Sequence, residues 1–282
     1  EPPKGIQELI HSLEEGDGRV WLQRFILLLL TLIALGLYHF DGVKNFSTVE
    51  AMDLAQLGRN LSEGRGFTTQ LIRPLSLHLQ SPRAVEQGVN PRQLITAAHP
   101  DISHPPLYPV ALAVLFKVLP DRWVYGVESG PRRRPPAEVA VGCLNFICFC
   151  GLAFVLFQVG RRWFELSIGV MAVVVFLGSK LNWDFAFSGL PTVWLGLLCV
   201  AVSVVALRIG GAADPDEDGR PRVVTFRYAL WSGLLGGLIG LGFLISYSFG
   251  FLVLPIGICV GWWAPAEARL RTVGCLLLAF LL

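Results

Sequence analysis

The sequence predicts an all-α polytopic membrane protein: a transmembrane helical bundle with one large outer loop that bears amphipathic juxtamembrane helices. Three observations lead there. Hydrophobic residues make up 53% of the chain and charged residues 16%, whereas a soluble domain is about a quarter charged. Several apolar runs are long enough to cross a bilayer, and mean hydropathy is +0.57. Glycines at Gly233, Gly236, Gly237, Gly240 and Gly242 recur mostly at three- and four-residue steps, the spacing that lets helices approach closely in lipid. A net charge of +2 gives no basis for nucleic-acid binding. The six cysteines all fall inside apolar runs with no C-x-x-C pair, so they read as small apolar residues rather than redox groups.

Taken in order, residues 1–20 form a cytoplasmic interfacial segment, with Ile6, Leu9, Ile10 and Leu13 set among Glu and Lys. Residues 21–40 are the first transmembrane helix, with Trp21 and Tyr38 at its ends, where aromatic side chains favour the interfaces. Residues 41–137 are too polar to span and form the outer loop. Within it, residues 107–119 are apolar but shorter than a roughly 30 Å hydrocarbon core requires. Residues 138–282 form the transmembrane bundle. Spans are expected at 138–160, 164–181, 191–207, 228–246 and 250–263, and a last run from Val273 is cut off at Leu282, as in a piece of a longer protein.

Charge orients these spans. If residues 107–119 crossed the membrane, Arg161 and Arg162, the loop with Arg208, Arg220, Arg222 and Arg227, and the pair Arg269 and Arg271 would all lie outside. If that segment instead dips or lies on the surface, all three basic loops become cytoplasmic, as the positive-inside tendency prefers. The N-terminus is then cytoplasmic, residues 41–137 lie outside, and residues 182–189 form a second outer loop.

The polar stretch 50–67, EAMDLAQLGRNLSEGRGF, stands out in the outer loop. Ser47 followed by Glu50 has the spacing of a capping box. Leu54, Leu57, Gly58 and Leu61 make an apolar face at helical spacing, and Gly64 is placed to end the helix. Glu50 and Asp53 fall on one face at i and i+3, and Arg59 and Glu63 are spaced as an i, i+4 pair. An interfacial helix with solvated charges accounts for this pattern, but a carboxylate beside the apolar stripe, at the mouth of a helical bundle, is the position of a functional group. The segment HPDISHPPLYP follows. His99, Asp101 and His104 offer metal-ligand atoms, yet on a proline-broken loop with no fourth donor nearby, a proline-directed entry into the next helix is the better reading. His104 and Tyr108 are its candidate binding residues. Asp184 stands alone beside Trp183, and the ADPDEDG loop lacks the later Glu of a calcium loop.

The order of these features is that of a known class. One spanning helix precedes an outer loop with an acidic residue on the helix MDLAQLGRNLSEGRGF; then come HPPLYP, a long helix ending in GRRWFE, and a short loop before SGL. Over residues 21–207 the chain resembles the GT-C membrane glycosyltransferases, in particular the dolichyl-phosphate-mannose-mannosyltransferase-like, aminoarabinose-transferase-like and galacturonosyltransferase-like enzymes. The resemblance implies an integral protein of the bacterial inner membrane. It would move a sugar from a polyprenyl-phosphate donor to a periplasmic or external acceptor, a glycan, lipid or protein, with inversion. Asp53 matches the essential acid of the first outer loop, and Glu50 is where some members place it. Metal-binding members carry an acidic motif in the second outer loop; here that place reads SGLPT with Asp184 only upstream, so no cofactor is expected and a divalent metal is the less favoured alternative. A carboxylate would take the acceptor's proton, and Arg59, Arg65 and Arg73 would stabilise the departing phosphate. The rival is a non-catalytic scaffold subunit of the same fold, bound to lipid or to a membrane protein partner. A transporter fits less well, because the spans are almost free of charge. The orientation has its own test. In a cysteine-free background, a cysteine at position Arg220 is expected to react with an impermeant thiol reagent only after the membrane is permeabilised; labelling of intact cells overturns this topology.

Overall fold

The computed structural model describes residues 32–33, 36–37, 46, 48–71, 74–88, 90, 99–124, 136–211, 225–264 and 268–282. Two units are distinguished, 1–44 and 45–282. In the first, the described residues are helical, and the expected span at 21–40 otherwise lies outside the described residues. So do residues 1–20, Arg132 to Arg134 and the loop at 212–224.

Among its described residues the second unit consists of helices, the turns that join them and one short strand pair. Helix α1, Val49–Ser62, starts at Thr48, whose hydroxyl accepts from the Ala51 amide at 3.2 Å. The cap is therefore Thr48, not Ser47, because the hydroxyl one residue on reaches an amide that the helix leaves unpaired. The other end closes as expected. Gly64 takes φ +76°, and the Arg65 and Gly64 amides reach back to Asn60 O (2.8 Å) and Leu61 O (3.1 Å), the two bonds of a Schellman turn. Strand β1, Thr68–Thr69, pairs antiparallel with β2, His99–Pro100. Between them in the chain lies α2, Pro74–Glu86, a helix that continues through Pro82.

Helix α3, Leu107–Val118, packs along α1. At Gly58 of α1 a Cβ would stand 2.8 Å from Leu112 Cβ, so only glycine permits this approach. Leu54, Tyr108, Leu112 and Phe116 form one buried cluster with Val124 of the short α4, Asp121–Val124, and with Ala137 and Val141 of α5, Pro136–Trp163. The opposite face of α3 exposes Val110, Val114 and Val118, one apolar line at four-residue steps. Thus α3 lies beside α1 at the end where α5 begins.

Helices α5, Pro136–Trp163, and α8, Thr192–Gly211, are the two described helices long and apolar enough to cross a membrane. At 1.5 Å per residue α5 measures about 42 Å. The span expected at 164–181 is broken. Helix α6, Leu166–Gly178, meets α7, Lys180–Ala186, at a 69° bend. The bend exposes carbonyls at the end of α6, and side chains of α7 cover two of them: Asn182 Nδ2 donates to Phe176 O at 2.8 Å and Trp183 Nε1 to Leu177 O at 2.6 Å. Residues 182–189 are consequently mostly helix, not loop. Helix α9, Thr225–Phe243, leads through a 3-10 turn, Tyr247–Leu252, to α10, Val253–Trp263, and α11, Arg269–Leu281. The apolar run expected at 250–263 is thus divided between two helix types. Val205, Ile209, Leu235, Ile239, Val260 and Leu276 unite α8 to α11 in a second core.

The glycine pattern resolves into two close approaches to α11, at Gly236 and Gly240, and a third at Gly242 against the Phe249 ring. A Cβ on Gly236 would overlap the carbonyl oxygen of Leu276 in α11, and one on Gly240 would lie 3.2 Å from Phe280 O, whereas Gly233 and Gly237 face open space. Replacing Gly236 by Ala is expected to destabilise the fold by about 1–3 kcal/mol, the usual cost of overpacking, while Gly237→Ala is neutral or slightly stabilising. Thermal unfolding of both variants in detergent measures this; equal effects would remove the helix contact as the explanation.

Candidate functional site

The site forms where α1, the strand pair and the entry to α3 meet. Asp53 lies on the apolar side of α1 and is 3% exposed. Asn60, two turns on, faces the same way; its Nδ2 donates to Thr68 O at 2.6 Å and so holds β1 against the helix. Gln56 Nε2 donates to Gln70 Oε1 at 3.0 Å, a second tie. This docking brings the buried Thr69 hydroxyl onto Asp53 Oδ1, to which it donates a short hydrogen bond. Thr69 Oγ1 also accepts from the Leu71 amide at 2.9 Å, which fixes its orientation.

Pairing of β1 with β2 sets the second carboxylate. The Asp101 amide donates to Phe67 O at 3.0 Å, and the Asp101 side chain accepts from the Ser103 (3.0 Å) and His104 (3.3 Å) amides in a side-chain turn. His104 then lies between the two acids: Nδ1 is 2.7 Å from Asp101 Oδ2 and 3.5 Å from Asp53 Oδ2. Ligand-capable atoms of Asp53, Asp101 and His104 lie within 4.8 Å of one another. The Asp53 and Asp101 side chains are 1% and 2% exposed and that of His104 is 12%, so the imidazole is the side from which solvent reaches the group.

Such an arrangement can do two things chemically. A carboxylate within reach of an imidazole that is itself held by another carboxylate can take up and share a proton. Two carboxylate oxygens and an imidazole nitrogen can also ligate a divalent cation, with donors that suit zinc or manganese. The trio is not the set of His99, Asp101 and His104 whose spacing the sequence raises and passes over for a proline-directed helix entry. His99 is not a member; its Nδ1 stands 3.2 Å from Gln80 Oε1 on α2. Asp53 takes that place.

The remaining candidates are placed as follows. Glu50 is exposed in the first turn of α1 and does not join the group around Asp53. Arg59 lies over the Phe116 ring, 5.9 Å from its centroid, and does not pair with Glu63; that carboxylate pairs with the exposed Arg65. Arg73 lies outside the described residues. Tyr108 is fully buried, and its hydroxyl donates to Gly189 O at 2.8 Å, which joins α3 to the turn before α8. Burial raises its phenol well above the usual tyrosine value. Asn145 of α5, fully buried, donates to Tyr108 Oη and to Leu190 O, both at 3.4 Å, and accepts from Trp194 Nε1 of α8 at 3.0 Å. The sequence reading weighed Asp101 only as a ligand beside His99 and missed its contact with His104, and it missed Asn145 altogether. A short polar side chain inside an apolar run is the signal that marks Asn145.

No family model, curated protein or solved structure matches the chain.

The network around Asn145 yields a prediction. Asn145→Leu leaves the Trp194 indole N–H and the Leu190 carbonyl without this partner, at an expected cost of about 1–3 kcal/mol. Tyr108→Phe frees Gly189 O and costs about 1 kcal/mol. In a double-mutant cycle read by denaturant unfolding in detergent, the two are expected to couple by at least about 0.5 kcal/mol; strict additivity would mean that no shared network exists.

Proposed function

We propose that this chain is a membrane glycosyltransferase of GT-C type. It moves a sugar from a polyprenyl-phosphate donor to an acceptor hydroxyl on the periplasmic or external side of the bacterial inner membrane, with inversion at the anomeric carbon. The observation that carries the reading is the buried Asp53 carboxylate, held by Thr69 and facing His104, at the end of helices long and apolar enough to cross a bilayer.

A lipid-phosphate donor keeps its tail in hydrocarbon and its phosphate at the interface. The apolar line Val110, Val114 and Val118 on α3 suits a helix seated in that layer. Asp53, the general base, takes the proton of the acceptor hydroxyl as its oxygen bonds to the anomeric carbon. The bond from that carbon to the phosphate oxygen breaks, and the electron pair leaves with the polyprenyl phosphate. His104, the most open of the three groups, binds the incoming hydroxyl, and Asp101 holds the imidazole in position. Arg59 and Arg65, near the end of α1, are the available cations for the phosphate. Arg161, Arg162 and Arg208 lie at the far ends of α5 and α8, which fits their placement on the cytoplasmic side.

A second reading is a non-catalytic scaffold subunit, bound to a membrane protein partner. It is favoured by how far Asp53 and Asp101 are enclosed by their own hydrogen bonds. Sugar transfer in isolated membranes from a radiolabelled polyprenyl-phosphate sugar separates the two. Asp53→Asn is expected to lower the rate by about 100-fold or more, while Glu50→Gln, exposed and apart from the group, changes it by less than about threefold. A chelator followed by added zinc or manganese reports whether the trio works through a cation. Transfer unaffected by Asp53→Asn, in protein with an unchanged thermal midpoint, sinks the enzymatic reading.

A further inference from the structure

At the opposite end of α5 from Asp53, the last turns of α5 and α8 enclose a cleft of about 480 Å³. Three guanidinium groups border it: Arg161 and Arg162 from α5 and Arg208 from α8. Its wall is apolar, with Phe154 and Val204 among the lining side chains, and Gln158 adds a hydrogen-bonding amide. All three arginines are exposed, and among the described residues none forms an ion pair. Glu165, the acid next along the chain, accepts from Ser167 Oγ at 3.4 Å instead. Arg161 lies over the Phe157 ring at 6.0 Å and Arg208 over the Trp231 ring at 5.3 Å, so two of the side chains lie along aromatic faces rather than trailing into solvent.

Basic residues at helix C-termini are ordinary; they complement the helix dipole and mark the cytoplasmic end of a span. Those reasons do not require convergence. Here cations from two helices border one cleft whose other surface is hydrocarbon-like, at the end of two helices able to cross a bilayer. A strongly basic mouth on an apolar wall at membrane-interface depth matches a ligand with an anionic phosphate head and acyl chains.

We propose that this cleft is a binding site for an anionic phospholipid of the leaflet at that end of the protein, with the phosphate held by Arg161, Arg162 and Arg208 and an acyl chain laid along Phe154 and Val204. It rests on the reading of α5 and α8 as membrane-spanning and is independent of the chemistry proposed for Asp53, whose helix packs by the other end of α5. The site would anchor the ends of α5 and α8 to each other through a shared lipid.

The test uses the full chain, delipidated in detergent and offered phosphatidylglycerol or phosphatidylcholine in mixed micelles, with retained lipid counted by native mass spectrometry. Phosphatidylglycerol is expected to be retained at least about tenfold better than phosphatidylcholine. The R161Q/R162Q/R208Q variant is expected to lose about 100-fold in that retention, since each basic group near an anionic membrane surface contributes several-fold. If the triple variant does not fold, Gln158→Glu serves: it keeps every arginine, sets a carboxylate in the cleft, and is expected to lower phosphatidylglycerol retention by about tenfold. Equal retention of the two lipids, or a loss under threefold in a well-folded triple variant, overturns the proposal. So does displacement of the lipid by millimolar inorganic phosphate, which would make the free anion the ligand. Sugar-transfer activity has no part in this readout, so failure here and failure of the Asp53 assay are distinct.

Discussion

One buried amide holds the functional end of this protein together. Asn145 lies in the middle of an apolar helix with no exposure, where an unpaired amide would cost several kcal/mol. It therefore has to find partners, and the partners it has come from three different stretches of chain: Tyr108 of α3, the Leu190 carbonyl before α8, and Trp194 of α8. Because Tyr108 in turn donates to Gly189, α3 is pinned to α5 and to the turn at 189–190. Edge-to-face packing of Tyr108 on Trp194, centroids 5.6 Å apart, fills the space around the polar contacts. Nonpolar packing alone is nondirectional; this network sets the height of α3 along α5.

Everything around Asp53 inherits that height. Gly58 lets α1 close on α3 at Leu112, and α1 carries Asp53 and Asn60. Asn60 places β1, β1 places Thr69 and β2, and β2 delivers Asp101 and His104. The start of α3 is further fixed from the other side, where the Leu107 amide donates to Leu244 O at 2.9 Å, beyond α9. The three ionisable groups thus sit on a frame anchored at both ends, with a separation set by backbone pairing rather than by their own attraction.

How much of this can be read in the sequence depends on range. Local rules served well: the period of Leu54, Leu57 and Leu61 gives α1, Gly64 gives its stop, and the shortness of residues 107–119 gives a helix that need not cross. Asp53 is legible as a buried acid for the same reason, since it shares the apolar side. Long-range pairings are not legible. Asp101 meets Asp53 through two strands of two residues each, too short to leave a period. Tyr108 has the look of an interfacial binding residue, yet its hydroxyl is taken by a carbonyl 81 positions away. Spacing also places Glu50 beside Asp53, but a helix face says nothing of where the covering layer ends, and Glu50 falls in the exposed first turn. The GT-C proposal starts from the order of motifs in the sequence, and that order does not disclose the Asp53–His104–Asp101 contact.

The bend at Ser179 connects the apolar bundle to the site. A straight helix over 166–186 would satisfy its own backbone but carry Phe187, Ser188 and Gly189 along the axis of α6. The 69° turn redirects them, and its cost in freed carbonyls is met by Asn182 and Trp183. Trp183 also packs against both Phe146 and Phe149 of α5, which holds α7 in its turned direction. The chain can then form the left-handed turn at Gly189 (φ +78°), where a Cβ would stand 3.0 Å from the Phe46 ring, and present the Gly189 carbonyl to Tyr108. An unbroken span would take away the acceptor that holds α3, and with it the register on which Asp53, Asp101 and His104 meet.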